Sequence, residues 1–255
     1  MTVEFLPHPS GSRAPVLQPN HVELWAWRLD RPGRETTALS DMLAPDEAAR
    51  AARFAAATDR ARFTATHAFR RAILARYCRQ APKTLRFTAG EHGKPALAGG
   101  AVHFSAARSE AVALLAVSPA CDLGADIARA DMPPDAETVV RSHASPAEID
   151  AYFNLPASAQ PLAFFRWWTA KEAVVKALGA GLTLPLPSFD VALPPAGPAL
   201  LGSRLDALQS PWTLLHLAPY AGYIGALAMQ GAARPIQAWW LDSFADALGE
   251  GRKRI

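Results

Sequence analysis

The sequence is short of cysteine and of long apolar runs, and both shortages exclude classes of protein. Its 255 residues contain two cysteines, Cys78 and Cys121, whose spacing fits neither a zinc site nor a disulfide framework. The longest apolar run, AVALLAV at 111–117, is far below the ~20 residues that span a membrane. The opening residues, MTVEFLPHPSGSRAPV, hold no apolar stretch typical of a secretory signal. We therefore expect a soluble protein of the cytoplasm, a reducing compartment, with no membrane partner.

Net charge is also small, which argues against binding to nucleic acid. The formal net charge is +3, and charged residues make up 19% of the chain. One stretch is rich in arginine but poor in the aromatic residues that stack on bases, with Arg50, Arg53, Arg60, Arg62, Arg70 and Arg71. A basic α+β protein that binds nucleic acid is therefore the weaker interpretation. Mild positive charge is more typical of a protein with an anionic ligand or an acidic partner.

The chain is long enough to bury a sizeable core, and its patterns alternate between helix and strand. With 50% hydrophobic residues, it suits one large domain or two lobes of roughly 100–150 residues each. Apolar alternation and turn signals predict strands or strand pairs at 21–30, 85–97, 101–118, 123–128, 186–193 and 212–229. Helices are predicted at 43–78, at 145–153, and over the stretch that follows residue 153.

The second half of the chain loosely repeats the first. SPAEIDAYF at 145–153 is similar to APDEAARAARF at 44–54, and a long helical stretch follows each of them. Two related α+β lobes fit this order best. We predict an N-terminal lobe at 1–120 and a C-terminal lobe at 121–235. The tail at 236–255 is predicted to form a short helix with a frayed basic end.

The stretch FRWWTAKEAVVKALGAGL at 165–182 places fixed charges beside bulky aromatic residues on one predicted helix. Glu172 and Lys176 are four residues apart and share a helix face, whereas Lys171 points about 100° away. Such a pair is usually a surface salt bridge worth a few tenths of a kcal/mol. An active-site pair has the same spacing, so the spacing leaves both interpretations open. Trp167 and Trp168 are more typical of a core than of a site.

The predicted strand LGADIA at 123–128 carries one acid among apolar residues. Strand periodicity puts Gly124, Asp126 and Ala128 on the same face. If Asp126 is buried on that face, its carboxylate needs a partner. A strand-end aspartate in water, or in an ordinary ion pair, is the alternative.

Four motifs, taken in order, resemble those of the 4'-phosphopantetheinyl transferases. They are GKP at 93–95, HFSAARS at 103–109, GADIA at 124–128 and WTAKEAVVKALGAGL at 168–182. The family patterns are roughly G-K-P, F-N-x-S-H-S, G-(I/V)-D-x-E and W-(S/T)-x-K-E-(A/S)-x-x-K-x-x-G-x-G-L. The last is specific and is matched almost completely. The resemblance runs from about residue 43 to about residue 230 and is to the long, pseudo-dimeric form that serves surfactin-type synthetases.

The resemblance implies both a fold and an activity. The fold would be two similar α+β lobes related by a pseudo-twofold, each a helix packed on a small antiparallel sheet. Coenzyme A and magnesium would lie in the cleft between the lobes of a monomer. Family members move the 4'-phosphopantetheine arm of coenzyme A to a serine of an apo carrier protein and release adenosine 3',5'-bisphosphate. The acyl or peptidyl carriers, typically acidic, serve fatty acid, polyketide or nonribosomal peptide synthesis.

The resemblance also implies roles for three residues at the reacting phosphates. Asp126 would be a magnesium ligand. Glu172 would be a second ligand and the general base for the carrier serine. Lys176 would neutralise the pyrophosphate as it breaks, or protonate the leaving phosphate. These residue types suit the chemistry, because magnesium prefers a few carboxylates plus substrate phosphates and phosphoryl transfer depends on placed positive charge.

Further residues would contact coenzyme A. Lys94 and the adjacent Pro95, from the GKP motif, would lie against it, with the Lys94 ammonium on a phosphate. Arg62 would hold the ribose 3'-phosphate, with Arg50 or Arg53 near it. The resemblance thus implies an extended, basic binding site for coenzyme A.

Two departures from the family patterns bear on activity. Ala128 stands where the family has a glutamate two residues after the aspartate, and a water would replace that carboxylate. The Ser-His pair of the second motif is Ala107-Arg108 here. Arg108 keeps a phosphate-binding charge with a fork of donors, but the serine hydroxyl has no replacement. An impaired member that binds coenzyme A or a carrier protein without catalysis is therefore the alternative function.

Overall fold

The computed structural model describes residues 2–9, 18–30 and 36–248 of the chain. Its strands are β1 (Thr2–Glu4), β2 (Leu6–Pro7), β3 (Val22–Arg28), β4 (Phe87–Ala89), β5 (Pro95–Leu97), β6 (His103–Ser109), β7 (Val112–Ser118), β8 (Leu123–Arg129), β9 (Phe189–Val191), β10 (Leu200–Ser203), β11 (Trp212–Ala218), β12 (Tyr223–Gln230) and β13 (Ile236–Leu241). Its α-helices are α1 (Thr36–Asp41), α2 (Pro45–Ala52), α3 (Ala57–Cys78), α4 (Ala136–His143), α5 (Pro146–Phe153), α6 (Gln160–Leu178) and α7 (Phe244–Leu248).

Local signals in the sequence set the bounds of the helices. α5 begins at a capping box, in which the Ser145 hydroxyl accepts from the Glu148 N–H and the Glu148 carboxylate accepts from the Ser145 N–H. α6 ends at Gly179, whose backbone is left-handed with φ 67°. The predicted helices at 43–78 and 145–153 are therefore found, the first of them as the two helices α2 and α3.

Two sheets organise the molecule. The five-stranded sheet has the order β2-β13-β3-β7-β6, and the four-stranded sheet has the order β1-β11-β12-β8. The central pairs are antiparallel, as predicted: β3 with β7, β7 with β6, β11 with β12, and β12 with β8. Parallel strands from near the ends of the chain extend both sheets, since β1 lies parallel to β11 and β13 lies parallel to β3.

Three apolar clusters stack the elements in four layers. One cluster packs α3 on the five-stranded sheet, with Trp27 stacked on Phe69 at 5.1 Å between ring centroids. Another packs α6 on the four-stranded sheet. A third lies between the two sheets and includes many small residues, among them Ala26, Ala116 and Ala125. The predicted architecture of two lobes, each a helix on a small sheet, is confirmed; we call α3 with its sheet the N-terminal lobe and α6 with its sheet the C-terminal lobe.

The two sheets also meet along their edges, where β6 lies beside β8. The Ser105 hydroxyl accepts from the Ala125 N–H, and the Ser109 hydroxyl accepts from the Arg129 N–H, both at 3.0 Å. Ala107 lies between these serines and offers no side-chain acceptor to β8. The serine that the family has at this position would therefore face the seam between the lobes.

Each lobe contains a strand from the opposite part of the chain. β1 joins the C-terminal sheet, and β13, within the predicted tail, joins the N-terminal sheet. The division of the chain at residues 120 and 235 stays a prediction, to which the structure adds these exchanged strands. The tail contains the predicted short helix as α7; its predicted basic end, 249–255, lies outside the described residues.

No helix among the described residues combines the length and the apolar character that crossing a membrane requires.

Candidate active site

The site is built on the close contact between α6 and β8. A Cβ atom on Gly124 would lie 2.0 Å from the Ala173 carbonyl oxygen and 2.3 Å from the Ala177 nitrogen, so a side chain at this position has no room. Gly124 therefore lets the strand backbone lie directly on the helix backbone. Asp126, two residues further on, faces the same helix, as the strand periodicity predicted.

Asp126 is buried and paired with Lys176. The Lys176 ammonium donates to Asp126 Oδ1 at 2.6 Å, and the Asp126 residue is 7% exposed. The surface pair between Glu172 and Lys176, which the spacing allowed, is thus replaced by a contact between helix and strand. A hydrogen bond between two ions is roughly twice as strong as one between neutral groups.

Glu172 lies one helical turn before Lys176, and both side chains line a cavity of about 570 Å³. Burial raises the pKa of Glu172, the charge of Asp126 raises it further, and the charges of Lys176 and His143 oppose the rise. The two carboxylates are therefore close enough to repel each other. We call this space the carboxylate cavity.

Both lobes supply the walls of the carboxylate cavity. Its polar groups come from α6, from the GKP motif, from β6 and from α4, and include Glu172, Lys176, Lys94, Ser105 and His143. Its apolar wall includes Pro95, Phe104, Trp168, Val175, Leu184 and Leu186. An elongated ligand with a charged part and an apolar part would suit such a lining.

His143 and Trp168 belong to this cavity, although the sequence did not single them out as site residues. The His143 ring meets the Trp168 ring edge-on, with centroids 6.1 Å apart. His143 Nδ1 lies 2.7 Å from the Ser142 hydroxyl and 3.1 Å from the Val139 carbonyl oxygen. No spacing rule links α4 to α6, so only the fold reveals this contact. Trp167, by contrast, is 1% exposed and belongs to the core, as expected.

Lys94 closes the end of the cavity. Its ammonium donates to the Ala177 carbonyl at 2.9 Å and to the Leu123 carbonyl at 3.3 Å, and it lies 3.6 Å from Asp122 Oδ1. Burial lowers the pKa of Lys94, and the Asp122 charge opposes this. Lys94 therefore ties the last turn of α6 to the start of β8. Its predicted contact with a phosphate stays a prediction.

A second, basic cavity of about 840 Å³ shares Pro95 with the carboxylate cavity. It lies between α2, α3 and the β4–β5 pair, and its basic residues are Arg50, His67, Arg70, Arg71, Lys83 and Arg86. Arg50 also lines a neighbouring hollow with Arg53. Of the predicted ligands of coenzyme A, Arg50 and Pro95 therefore line the basic cavity, and Arg53 lines the neighbouring hollow.

A buried glutamate on α2 neutralises part of the basic cavity. Glu47 accepts from Arg70 and Arg71 and bonds to His67. Burial raises the pKa of Glu47, but the bonds from His67 and Arg71 outweigh it and lower the pKa to about 2. With Arg70 and Arg71 engaged in this way, the described residues of the basic cavity leave Arg50, Lys83 and Arg86 for an anion.

Two predicted residues lie apart from both cavities. Arg62 pairs with Glu110, in the turn between β6 and β7, at 3.3 Å. Arg108 is exposed on β6. Within the described part of the chain, neither residue is among the lining of the carboxylate or the basic cavity. The roles predicted for them are not tested by this placement.

Lys171, next to Glu172 in sequence, is fully buried and makes its contacts with α5 and with the segment at 186–189. Its ammonium pairs with Glu148 at 2.8 Å and donates to the carbonyls of Leu186 and Phe189. Burial lowers the pKa of Lys171, and Glu148 opposes this. Glu148 also accepts from the Val191 N–H at 2.8 Å. This pair fixes the segment around Leu186 that walls the carboxylate cavity.

Comparison with known proteins identifies the family. A model of the 4'-phosphopantetheinyl transferase superfamily matches residues 122–228, which contain Asp126, Glu172 and Lys176. The 4'-phosphopantetheinyl transferase HetI of Nostoc sp. is 33% identical over 231 residues, which cover 89% of this chain and 94% of that protein. The chain belongs to the 4'-phosphopantetheinyl transferase superfamily.

The transferase is also similar to a second curated protein and to a solved structure. The protein slr0495 of Synechocystis sp. is 29% identical over 164 residues, 63% of this chain and 66% of that protein. The crystal structure of Thermotoga maritima holo-acyl-carrier-protein synthase (AcpS) matches 44% of this chain and 64% of that chain, with 17% identity and a TM-score of 0.36. A likeness of that degree supports no inference about the site.

The predicted family and the predicted transferase class are therefore confirmed. In the matched segment of the transferase, Glu172 and Lys176 line one cavity and Lys176 is bonded to Asp126, although Asp126 and Glu172 are 46 positions apart in sequence. Their individual roles stay predictions, because neither the fold nor the similarity of sequence assigns a role to a side chain.

Proposed function

We propose that this transferase moves the 4'-phosphopantetheine arm of coenzyme A to a serine of an apo acyl or peptidyl carrier protein, with magnesium, and releases adenosine 3',5'-bisphosphate. The observation that carries the proposal is that Glu172 and Lys176 line a cavity that shares Pro95 with a basic cavity, while Asp126 is hydrogen-bonded to Lys176. Family membership supports the same reaction.

The two cavities suit the parts of coenzyme A. The basic cavity, with Arg50, Lys83 and Arg86, would hold the ribose 3'-phosphate. The pyrophosphate would then pass Pro95 and reach Lys176 in the carboxylate cavity. The apolar wall at Trp168 and Leu186 would contact the pantetheine arm. A ligand of this length would extend through both cavities, past the shared residue Pro95 of the GKP motif.

The carboxylates fit a magnesium ion that substrate phosphates complete. Asp126, on β8, is bonded to α6, which also carries Glu172, and the charge of Asp126 raises the pKa of Glu172. Among residues 2–9, 18–30 and 36–248, no group of three or more His, Cys, Asp or Glu side chains could hold an ion alone. Two carboxylates plus phosphate oxygens are the ligands that magnesium prefers. Magnesium bound there would neutralise charge on the pyrophosphate.

The chain's own residues would carry the proton and the charge. Glu172 would accept the proton of the carrier serine hydroxyl as the serine oxygen bonds to the phosphorus of the arm. The phosphorus–oxygen bond to adenosine 3',5'-bisphosphate would break at the same time. Lys176 would neutralise the negative charge that builds on that leaving phosphate.

Incubation with coenzyme A, magnesium and candidate apo carrier proteins tests this function. Mass spectrometry should show that a carrier gains one phosphopantetheine group, and that removal of divalent metal stops the gain. We expect an acidic carrier, because the transferase carries a formal net charge of +3, and we expect the transferase to act as a cytoplasmic monomer. Binding of coenzyme A with no mass gain on any fatty acid, polyketide or peptide carrier would favour the impaired, non-enzymatic member instead.

Arg50 and Arg62 can be distinguished by the 3'-phosphate. We expect Arg50→Ala to weaken coenzyme A about 10- to 100-fold more than 3'-dephospho-coenzyme A, because a charge-assisted contact contributes ~1.5–3 kcal/mol. Arg62→Ala should leave both affinities near those of the parent if the pair with Glu110 is the role of Arg62, and should lose coenzyme A selectively if Arg62 holds the 3'-phosphate. Calorimetric titration of both ligands measures the difference. If only Arg62→Ala loses affinity selectively for coenzyme A, then Arg62 holds the 3'-phosphate, as the family resemblance implied.

Ala128 offers a test of the metal site. Ala128 follows Asp126 on the same strand face and packs against the cluster that includes α6. Ala128→Glu should tighten magnesium binding, because a third carboxylate would join the site, and should change turnover little at saturating metal. Ala130→Glu, the same substitution just beyond β8, is the control. If magnesium titration of the transfer rate gives the same midpoint for Ala128→Glu and the parent, the metal lies elsewhere.

A further inference from the structure

Lys176 forms an ion pair with Asp126, the carboxylate that the proposed function assigns to a metal ion. Its ammonium is 2.6 Å from Asp126 Oδ1, and the Asp126 side chain is 11% exposed. A charge-assisted bond of this length, largely withdrawn from water, is among the stronger hydrogen bonds in proteins. Asp126 therefore already carries a bound cation, which the chain itself supplies.

The two ammonium groups of the carboxylate cavity differ in what holds them. Lys94 donates to two backbone carbonyls, at Leu123 and Ala177, so its position is set by the end of α6. Lys176 has one acceptor, Asp126, among the described residues, and its side chain is 32% exposed to the cavity. A flexible four-carbon stem lets such an ammonium turn toward another anion without unpacking the helix.

We propose that Lys176 is a resident cation, which occupies Asp126 until coenzyme A arrives and competes there with the divalent metal. This inference rests on the proposed function for the identity of the ligands. A metal ion and an ammonium both require the oxygen lone pairs of the same carboxylate. The pyrophosphate of coenzyme A offers the ammonium another anion, so that Lys176 turns to the substrate and Asp126 becomes free for the metal.

The exchange makes metal and substrate depend on each other. Metal alone binds weakly, because it must displace Lys176 from Asp126. Coenzyme A removes that competitor, and by linkage the metal strengthens coenzyme A by the same factor. The protein would thereby avoid holding a metal ion in a cavity that lacks its phosphate ligands.

Titration with Mn²⁺ alone, in the absence of coenzyme A and carrier, tests the exchange. Free Mn²⁺ is followed by electron paramagnetic resonance for the parent, Lys176→Met and Lys94→Met. We expect Lys176→Met to bind Mn²⁺ about 10- to 100-fold more tightly than the parent, the range expected for loss of a competing charge-assisted bond. Lys94→Met should gain much less, because its ammonium bonds to two carbonyls and to Asp122, which is not one of the proposed metal ligands. Equal gains in the two variants, or no gain in Lys176→Met, would overturn the proposal.

Lys176→Arg provides a second measurement that retains the charge. An arginine can still pair with Asp126, so its affinity for Mn²⁺ alone should stay weak, as in the parent. An affinity as tight as that of Lys176→Met would contradict the competition. Carrier modification by the parent is measured separately. If the parent fails to modify a carrier, the proposed function is contradicted but the Mn²⁺ result stands. If the parent modifies the carrier normally and Lys176→Met binds Mn²⁺ no more tightly than the parent, only the resident-cation role is contradicted.

Discussion

Glu172→Gln is expected to lower the rate of phosphopantetheine transfer by about 10²–10⁴-fold, the usual effect of losing a general base. Glutamine keeps the size of the side chain and the packing of α6, but it cannot accept the serine proton. It also removes one of the two carboxylates proposed to hold magnesium, which should add to the loss. Steady-state transfer to an apo carrier, at saturating coenzyme A and metal, measures the effect.

Melting temperatures show whether a lower transfer rate in Glu172→Gln comes from lost chemistry or from unfolding. Removal of the Glu172 charge should leave the melting temperature unchanged or raise it, because burial and Asp126 both disfavour that charge. Glu137→Gln, an exposed acid on α4, is the matched control and should transfer at the parent rate. An unchanged rate in Glu172→Gln would end the catalytic interpretation of α6.

Lys171→Met is expected to cost about 3–5 kcal/mol of unfolding free energy, because it leaves the buried Glu148 carboxylate without its ion partner. Lys171 is 0% exposed and Glu148 is 3% exposed. Urea unfolding measures the cost, and the same substitution at exposed Lys83 should cost less than about 0.5 kcal/mol.

A double variant tests whether the two residues act as a pair. Lys171→Met combined with Glu148→Gln should cost less than the sum of the two single changes, because the unpaired charge is removed. Additive costs, or a loss below about 1 kcal/mol for Lys171→Met, would contradict the burial of this pair.

The sequence predicted best what depends on short-range periodicity. Alternation along β8 put Gly124 and Asp126 on one face, and the structure places both against α6. Helical spacing put Glu172 and Lys176 on one face, and both line the same cavity. These relations follow from the geometry of one strand or one helix, which a sequence determines locally.

Contacts between distant elements could not be predicted in this way. Spacing could not show that Lys176 pairs with Asp126 rather than with Glu172, or that Lys171 is buried on Glu148. Each lysine has the same local pattern as a surface lysine, and only packing between helix and strand decides its partner. The place of His143 in the cavity could not be predicted either, because it depends on the packing of α4 beside Trp168.

The exchanged strands determine when each lobe can be completed during synthesis. β13 lies between β2 and β3, so the sheet of the N-terminal lobe stays open until residues 236–241 have left the ribosome. β1 is made first, but its partner β11 begins only at Trp212. A fragment cut near residue 120 would leave each sheet with an unpaired edge, and such edges favour aggregation. The two halves that resemble each other are thus not separable modules, and the transferase must be produced and engineered as one chain.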